Sequence, residues 1–181
     1  REPDLATKQR YAREKERIAR YAASLVGDDD VVYLDTGTTV LHMASHLKDS
    51  KALFVTSSID FAGMLSAFEC RVYVLGGALK PGTVDIVGAE ALNAIRRYNF
   101  TKVFLGTSGV SLSQGFTTPD PEAAALKSLA AARAQSVYML ADSSKFGRVT
   151  AAAILPLDGA QIITDRLPDR KYLDSTDVVA V

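Results

Sequence analysis

Five short apolar runs, each closing on a cluster of small or polar residues, restrict what this chain can become. Val31–Leu34 runs into Asp35-Thr-Gly37, and Ala52–Thr56 runs into Ser57-Ser58. Arg71–Leu75 ends at Gly76-Gly77, Lys102–Leu105 at Gly106-Thr-Ser-Gly109, and Ser136–Leu140 at Ala141-Asp-Ser-Ser-Lys145. Short β-branched runs bounded by such breaks read as buried strands. Segments with helical spacing lie between them, so the chain is expected to be α/β, with a mostly parallel sheet flanked by helices on both faces. The carboxyl ends of parallel strands share one edge, where α/β folds bind ligands. Small residues there leave room, and their hydroxyl and N–H groups suit a phosphorylated, hydroxyl-rich ligand.

Taken in order, residues 4–26 read as one long helix with an apolar stripe of Ile18, Ala19, Ala22, Leu25 and Val26. That stripe, if exposed, points to self-association. Further helices are expected over Thr38–Leu47, Ile59–Phe68, Glu90–Arg97 and from Pro121 to about Ala134, the last started by Asp120 as N-cap with Pro121 behind it. The Gly-rich stretch Gly76–Gly88 reads as a hairpin or flap, and the stretch after Gly109 as a polar loop. Gln161–Thr164 and Val178–Val181 are two last short strands. At 181 residues one domain is expected, and the start at Arg1 suggests a piece of a longer protein.

The turn Asp35-Thr36-Gly37-Thr38-Thr39 joins a strand to a helix. Two readings stand side by side: a phosphate-binding turn that uses helix-end N–H groups, or only a helix cap. An aspartic protease is excluded, because that chemistry needs two such aspartates and the chain has one copy of the motif.

Charge narrows the classes. Lys plus Arg and Asp plus Glu are 21 each, so no basic excess announces nucleic acid. The dense stretch Lys8–Arg20 alternates with Glu14 and Glu16 and reads as a solvated helix face. One cysteine, Cys70, excludes an internal disulfide or a cysteine metal cluster. No run of about 20 apolar residues spans a membrane. A cytoplasmic location is expected.

Lys145, past a strand end, either pairs with a phosphate or carboxylate as a point charge or is a surface lysine. Lys127 either reaches the same pocket or faces solvent. Glu122 serves as a macrodipole partner, a sugar-hydroxyl acceptor or a general base. His42 and His46 have metal-ligand spacing, but Met43 stands where a zinc-protease glutamate would, and no third ligand suggests itself. Ser57, Ser108 and Ser144 lack a partnered histidine and a Gly-x-Ser-x-Gly setting, and no P-loop occurs. No metal or cofactor is implied.

These residues in this order resemble the effector-binding domain of the DeoR family of bacterial transcriptional regulators. The likeness runs from Glu14-Lys-Glu-Arg-Ile-Ala19 through Asp35-Thr-Gly-Thr-Thr39, Leu75-Gly-Gly77, Val87-Gly88, Phe104-Leu-Gly106 and Thr117-Thr-Pro-Asp120. It continues over Asp142-Ser-Ser-Lys-Phe-Gly-Arg148 to Ile162-Ile-Thr-Asp165. It implies a fold similar to ribose-5-phosphate isomerase, used to sense phosphorylated sugars. It also implies a helix-turn-helix DNA-binding domain before residue 1, residues 1–26 as the connection, and a homo-dimer or homo-tetramer, the whole acting as a repressor. Asp35, Gly37, Thr38 and Thr39 would then form the phosphate and sugar turn, with Gly76, Gly77, Gly106, Asp142 and Lys145 lining the rest. Two strand ends depart from the family pattern: Thr56-Ser57-Ser58 stands where Thr-Asn-Ser is usual, and Gly106-Thr107-Ser108-Gly109 where Gly-Ala-Asp-Gly is usual. Both change which hydroxyls the pocket reads. The competing expectation is an isomerase-type enzyme using Glu122 and a lysine.

Overall fold

The structure, a computed structural model, describes residues 11–181. Its centre is a seven-stranded sheet in which every neighbouring pair is parallel. The strands are β1 (Val31–Leu34), β2 (Leu53–Thr56), β3 (Arg71–Val74), β6 (Phe100–Gly106), β9 (Ala134–Leu140), β11 (Gln161–Thr164) and β12 (Val178–Ala180), in the spatial order β12-β11-β9-β6-β1-β2-β3.

Successive strand residues point to opposite faces, and both faces are buried over the central strands, while the edge strand β3 is largely exposed. Val32, Leu34, Phe54, Phe104, Leu140 and Ile163 bury one face; Tyr33, Val55, Val103, Leu105, Met139 and Ile162 bury the other. Helix α1 (Ala12–Ser24), the segment beginning with α2 (Thr38–Leu41), and α3 (Ile59–Ala67) cover the first face. Helices α4 (Ala89–Ile95) and α5 (Pro121–Ala132) cover the second. Asp120 caps α5 as the sequence indicated, accepting from Glu122 N–H at 3.1 Å, and Ser58 Oγ caps α3 by accepting from Phe61 N–H at 3.1 Å.

Three expectations need correction. Helix Thr38–Leu47 is broken: after α2 the backbone changes to bonds three residues apart (Met43 to Val40, His46 to Met43, Leu47 to Ala44), giving a 3-10 turn over Ala44–His46. The apolar stripe of the first helix is not an exposed surface, since Ile18, Ala19 and Ala22 are fully buried in this domain's own core. The part of that helix expected over residues 4–10 lies outside the described residues.

The third correction concerns the stretch after Gly109, which is not a loop. It forms β7 (Gly109–Ser111) and β8 (Gly115–Thr118), joined by β10 (Ala152–Leu155) in an antiparallel three-stranded sheet. A Cβ at Gly109 would lie 2.3 Å from the Arg148 carbonyl oxygen, so this close approach of two backbones requires glycine. The Gly-rich stretch is a hairpin, with β4 (Ala78–Leu79) antiparallel to β5 (Ile86–Val87). Bonds from Ile86 N–H to the Ser57 carbonyl (2.9 Å) and from Ile59 N–H to the Val84 carbonyl (3.0 Å) seat it beside the end of β2.

Candidate functional site

The chain steps from β1 to β2 to β3 in one direction, then returns to place β6 on the other side of β1. In α/β sheets ligands bind at such a reversal, above the carboxyl ends of the two neighbouring strands whose connections leave in opposite directions. Asp35 follows the end of β1 and Gly106 ends β6. Asp35 N–H donates to the Phe104 carbonyl at 3.1 Å, continuing the ladder beyond the strand. Its Oδ2 accepts from Gly106 N–H at 2.9 Å and from Lys127 Nζ. Lys127 Nζ also donates to the Gly106 carbonyl at 3.0 Å. Asp35 is 2% and Lys127 6% exposed, so this is a buried ion pair. Lys127 arrives there because α5 turns Ala124, Lys127 and Ala131 inward at helical spacing.

From Asp35 the chain enters the turn. Gly37 has φ +114°, a conformation that disfavours a side chain. Thr36 is half-buried, Thr38 exposed and Thr39 buried. Thr38 Oγ1 accepts from Lys15 Nζ at 2.9 Å.

The other expected residues distribute along the same edge. Ser57 is buried, and its Oγ accepts from Tyr33 Oη–H at 3.1 Å. Burial, then the charge of Asp35, push the Tyr33 hydroxyl far above its usual range and keep it protonated. Gly76 is exposed; Gly77 is close-packed, a Cβ there lying 3.0 Å from both Ile86 Cγ2 and the Val87 carbonyl oxygen. Ser108, half-buried, donates its N–H to the Thr117 carbonyl at 3.0 Å. Asp142 is 1% exposed. Its Oδ1 accepts from Ser144 N–H at 3.0 Å and from Ser144 Oγ, while its Oδ2 is buried with no hydrogen-bond partner among the described residues. Lys145 is half-buried in the turn that follows. Glu122 is exposed in the first turn of α5, where its charge acts on Lys80.

Sequence reading missed three charged residues here. Lys80 and Asp85 lie on the hairpin. Lys80 Nζ bonds Asp120 Oδ2 at 2.8 Å, pinning the hairpin to the start of α5 and holding Asp120 below the usual carboxylate range. Asp85 is half-buried; burial first, then the charge of Asp35, raise its carboxyl above the usual range, against the pull of Lys127 and Lys80. The third is Lys15, assigned to a solvated face but 6% exposed. It bonds Thr38, 23 residues away and beyond the reach of local pattern. His42 and His46 both contact the Glu16 carboxylate, at 3.2 and 2.5 Å. Their spacing serves an anion, and no three potential metal ligands gather among the described residues.

With this geometry in place, residues 10–166 match the family described as the DeoR C terminal sensor domain. The chain belongs to that family. The HTH-type transcriptional regulator FruR of Bacillus subtilis is 40% identical over 185 residues, covering 99% of this chain and 74% of the relative. The HTH-type transcriptional repressor GlcR of the same organism is 35% identical over 166 residues, covering 91% of this chain. The chain spans only 64% of GlcR. Among solved structures, ribose 5-phosphate isomerase A of Methanocaldococcus jannaschii superposes with a TM-score of 0.54 at 17% identity, over 73% of this chain and 53% of the other. That likeness shows the fold, in agreement with the expected isomerase-like sheet.

An open depression of about 750 Å3 lies at the opposite edge, by the amino ends of β9 and β11. Gln135, Asp158 and Asp177 line it. The buried charges and the unpaired carboxylate oxygen all sit on the carboxyl side, which is therefore the candidate site.

Removing one partner of a buried ion pair leaves the other charge uncompensated and costs about 3–5 kcal/mol. Lys127→Met is expected to lose about that much in urea unfolding, and Asp35→Asn/Lys127→Met much less than the sum of the single variants; additive losses would contradict the pairing. Asp85 gives a pH signature. A carboxyl whose folded pKa is raised contributes stability below its unfolded value, lost as pH rises through the folded one. Asp85→Asn is therefore expected to be more stable than wild type at pH 7 and equal to it near pH 3. The gain stays under about 1 kcal/mol, because solvent screens a half-exposed group.

Proposed function

We propose that this transcriptional-regulator sensor domain binds a phosphorylated sugar, or a metabolite of similar chemistry, at the carboxyl edge of its sheet. Occupancy then controls DNA binding through a helix-turn-helix domain upstream of residue 1, in an oligomer of two or four copies. The observation that carries this reading is the dry polar set at the sheet's reversal point. Asp35, Lys127 and Gly106 are locked together there, and on the same edge Asp142 keeps a buried carboxylate oxygen without a partner. An unpaired buried acceptor is costly and suits a ligand hydroxyl. Lys145 and the Thr36–Thr39 turn supply positive charge and donors for a phosphate.

The isomerase-type alternative has weaker support. Proton abstraction from a sugar carbon needs a positioned, available carboxylate. Asp35 is engaged by Lys127 and Gly106, Ser108 stands where a carboxylate is usual, and Glu122 is exposed at the outer end of α5. A pocket that binds without turning over suits a sensor, which needs only different affinities in two conformations.

Thermal unfolding of the chain with ribose 5-phosphate, glucose 6-phosphate, fructose 1-phosphate, their parent sugars and inorganic phosphate tests the reading. A ligand at about 100 times its Kd adds about 2.7 kcal/mol, roughly 5–10 °C in Tm for a domain of this size. One phosphorylated sugar is expected to raise Tm while its parent sugar does not. Lys145→Ala should remove most of that rise without moving the Tm of the free chain. Equal shifts for sugar and sugar phosphate, or none for any probe, count against it.

A further inference from the structure

We infer that Lys15 is a positioning residue for the ligand turn, and that through it the occupancy of the turn and the seating of α1 form one equilibrium. This rests on the proposed function, in which the 36–39 turn faces an anionic ligand oxygen.

A threonine hydroxyl carries one proton and two lone pairs. In Thr38 one lone pair is taken by the Lys15 ammonium at 2.9 Å, so the hydroxyl's own hydrogen points elsewhere. Thr38 is exposed at the turn, and that hydrogen is available to a ligand. A hydroxyl polarised by a desolvated ammonium is a stronger donor, and it gains most from a charged acceptor. Lys15 thereby sets Thr38 to read an anionic oxygen such as that of phosphate rather than a neutral sugar oxygen.

The neighbouring residue acts on the same segment. Glu16 holds His42 and His46, which follow Thr38 on the short helix and the 3-10 turn. Consecutive residues of α1 thus tie its N-terminal half to both ends of a segment that starts at the ligand turn. Burial of Ile18, Ala19 and Ala22 fixes the C-terminal half. A ligand that draws on the Thr38 hydroxyl acts on a contact that α1 itself makes, so binding and helix seating are linked reciprocally. The sequence continues from α1 toward residue 1, the direction in which the proposed DNA-binding domain lies.

The test uses the chain with Lys15→Met, Thr38→Val, the double variant and Lys15→Arg, titrated with the three sugar phosphates and inorganic phosphate. Hydrogen exchange is followed at the amides of residues 15–20. For the probe that binds, either single change is expected to weaken affinity about tenfold, the value of one charged hydrogen bond. The double variant should lose no more than either single one, and Lys15→Arg should recover part of the loss. Saturation should slow exchange at residues 15–20 in wild type and not in Lys15→Met. Wild-type affinity in Lys15→Met, multiplicative losses in the double variant, or exchange in α1 indifferent to saturation would each overturn the inference. Should Lys15→Met not fold, Thr38→Val, which keeps the cation, carries the comparison. If no probe binds wild type, the proposed function fails separately. The link is then read in the free chain: Lys15→Met and Thr38→Val must each speed α1 exchange, and non-additively; additive effects, or none in Thr38→Val, overturn it.

Discussion

The buried pair between Asp35 and Lys127 ties three elements together at one point. Asp35 continues β1, Gly106 closes β6, and Lys127 descends from α5, so two neighbouring strands and one crossover helix meet at a single carboxylate oxygen. Two charges withdrawn from water are stabilising only while they satisfy each other. The pair therefore fixes the ends of β1 and β6 against α5, on the edge that also carries the turn 36–39 and Asp142.

That constraint explains why so many charged residues gather on one edge of a chain whose net charge is zero. Lys80 is paired with Asp120, and Asp85 is pushed toward its neutral form by burial and by Asp35. The hairpin thus sits over the pair as a balanced set of charges. Lys15 and Glu16 extend the set to α1, the first helix of the described residues. Separate polar contacts thus gather at the edge of the sheet, at the hairpin and at the first described helix.

The strand ends were legible in the sequence because a fully buried parallel strand must be apolar throughout and must stop abruptly. Asp35, Gly106 and Asp142 mark such stops, and all three lie on the edge where they were expected. Lys127 could not be placed, because a lone cation at helical spacing looks alike on a wet or a dry face; only a carboxylate 92 positions earlier decides it. The antiparallel sheet was illegible for a different reason. Gly109–Ser111 and Gly115–Thr118 are too short to show alternation, and β10, which pairs with β8, comes more than 30 residues later. The expected long second helix failed because apolar spacing cannot tell an α-helix from an α-turn followed by a 3-10 turn.

The central claim is that the crevice between β1 and β6 is the ligand site, and amide chemical-shift mapping of the 15N-labelled chain tests it most directly. Titration with glucose 6-phosphate, ribose 5-phosphate and fructose 1-phosphate is predicted to give one saturable set of shifts. These should centre on Gly37, Thr38, Gly106 and Lys145, and disappear in Lys127→Met that remains folded. Saturable shifts confined to the opposite edge, around Gln135, Asp158 and Asp177, would contradict the account.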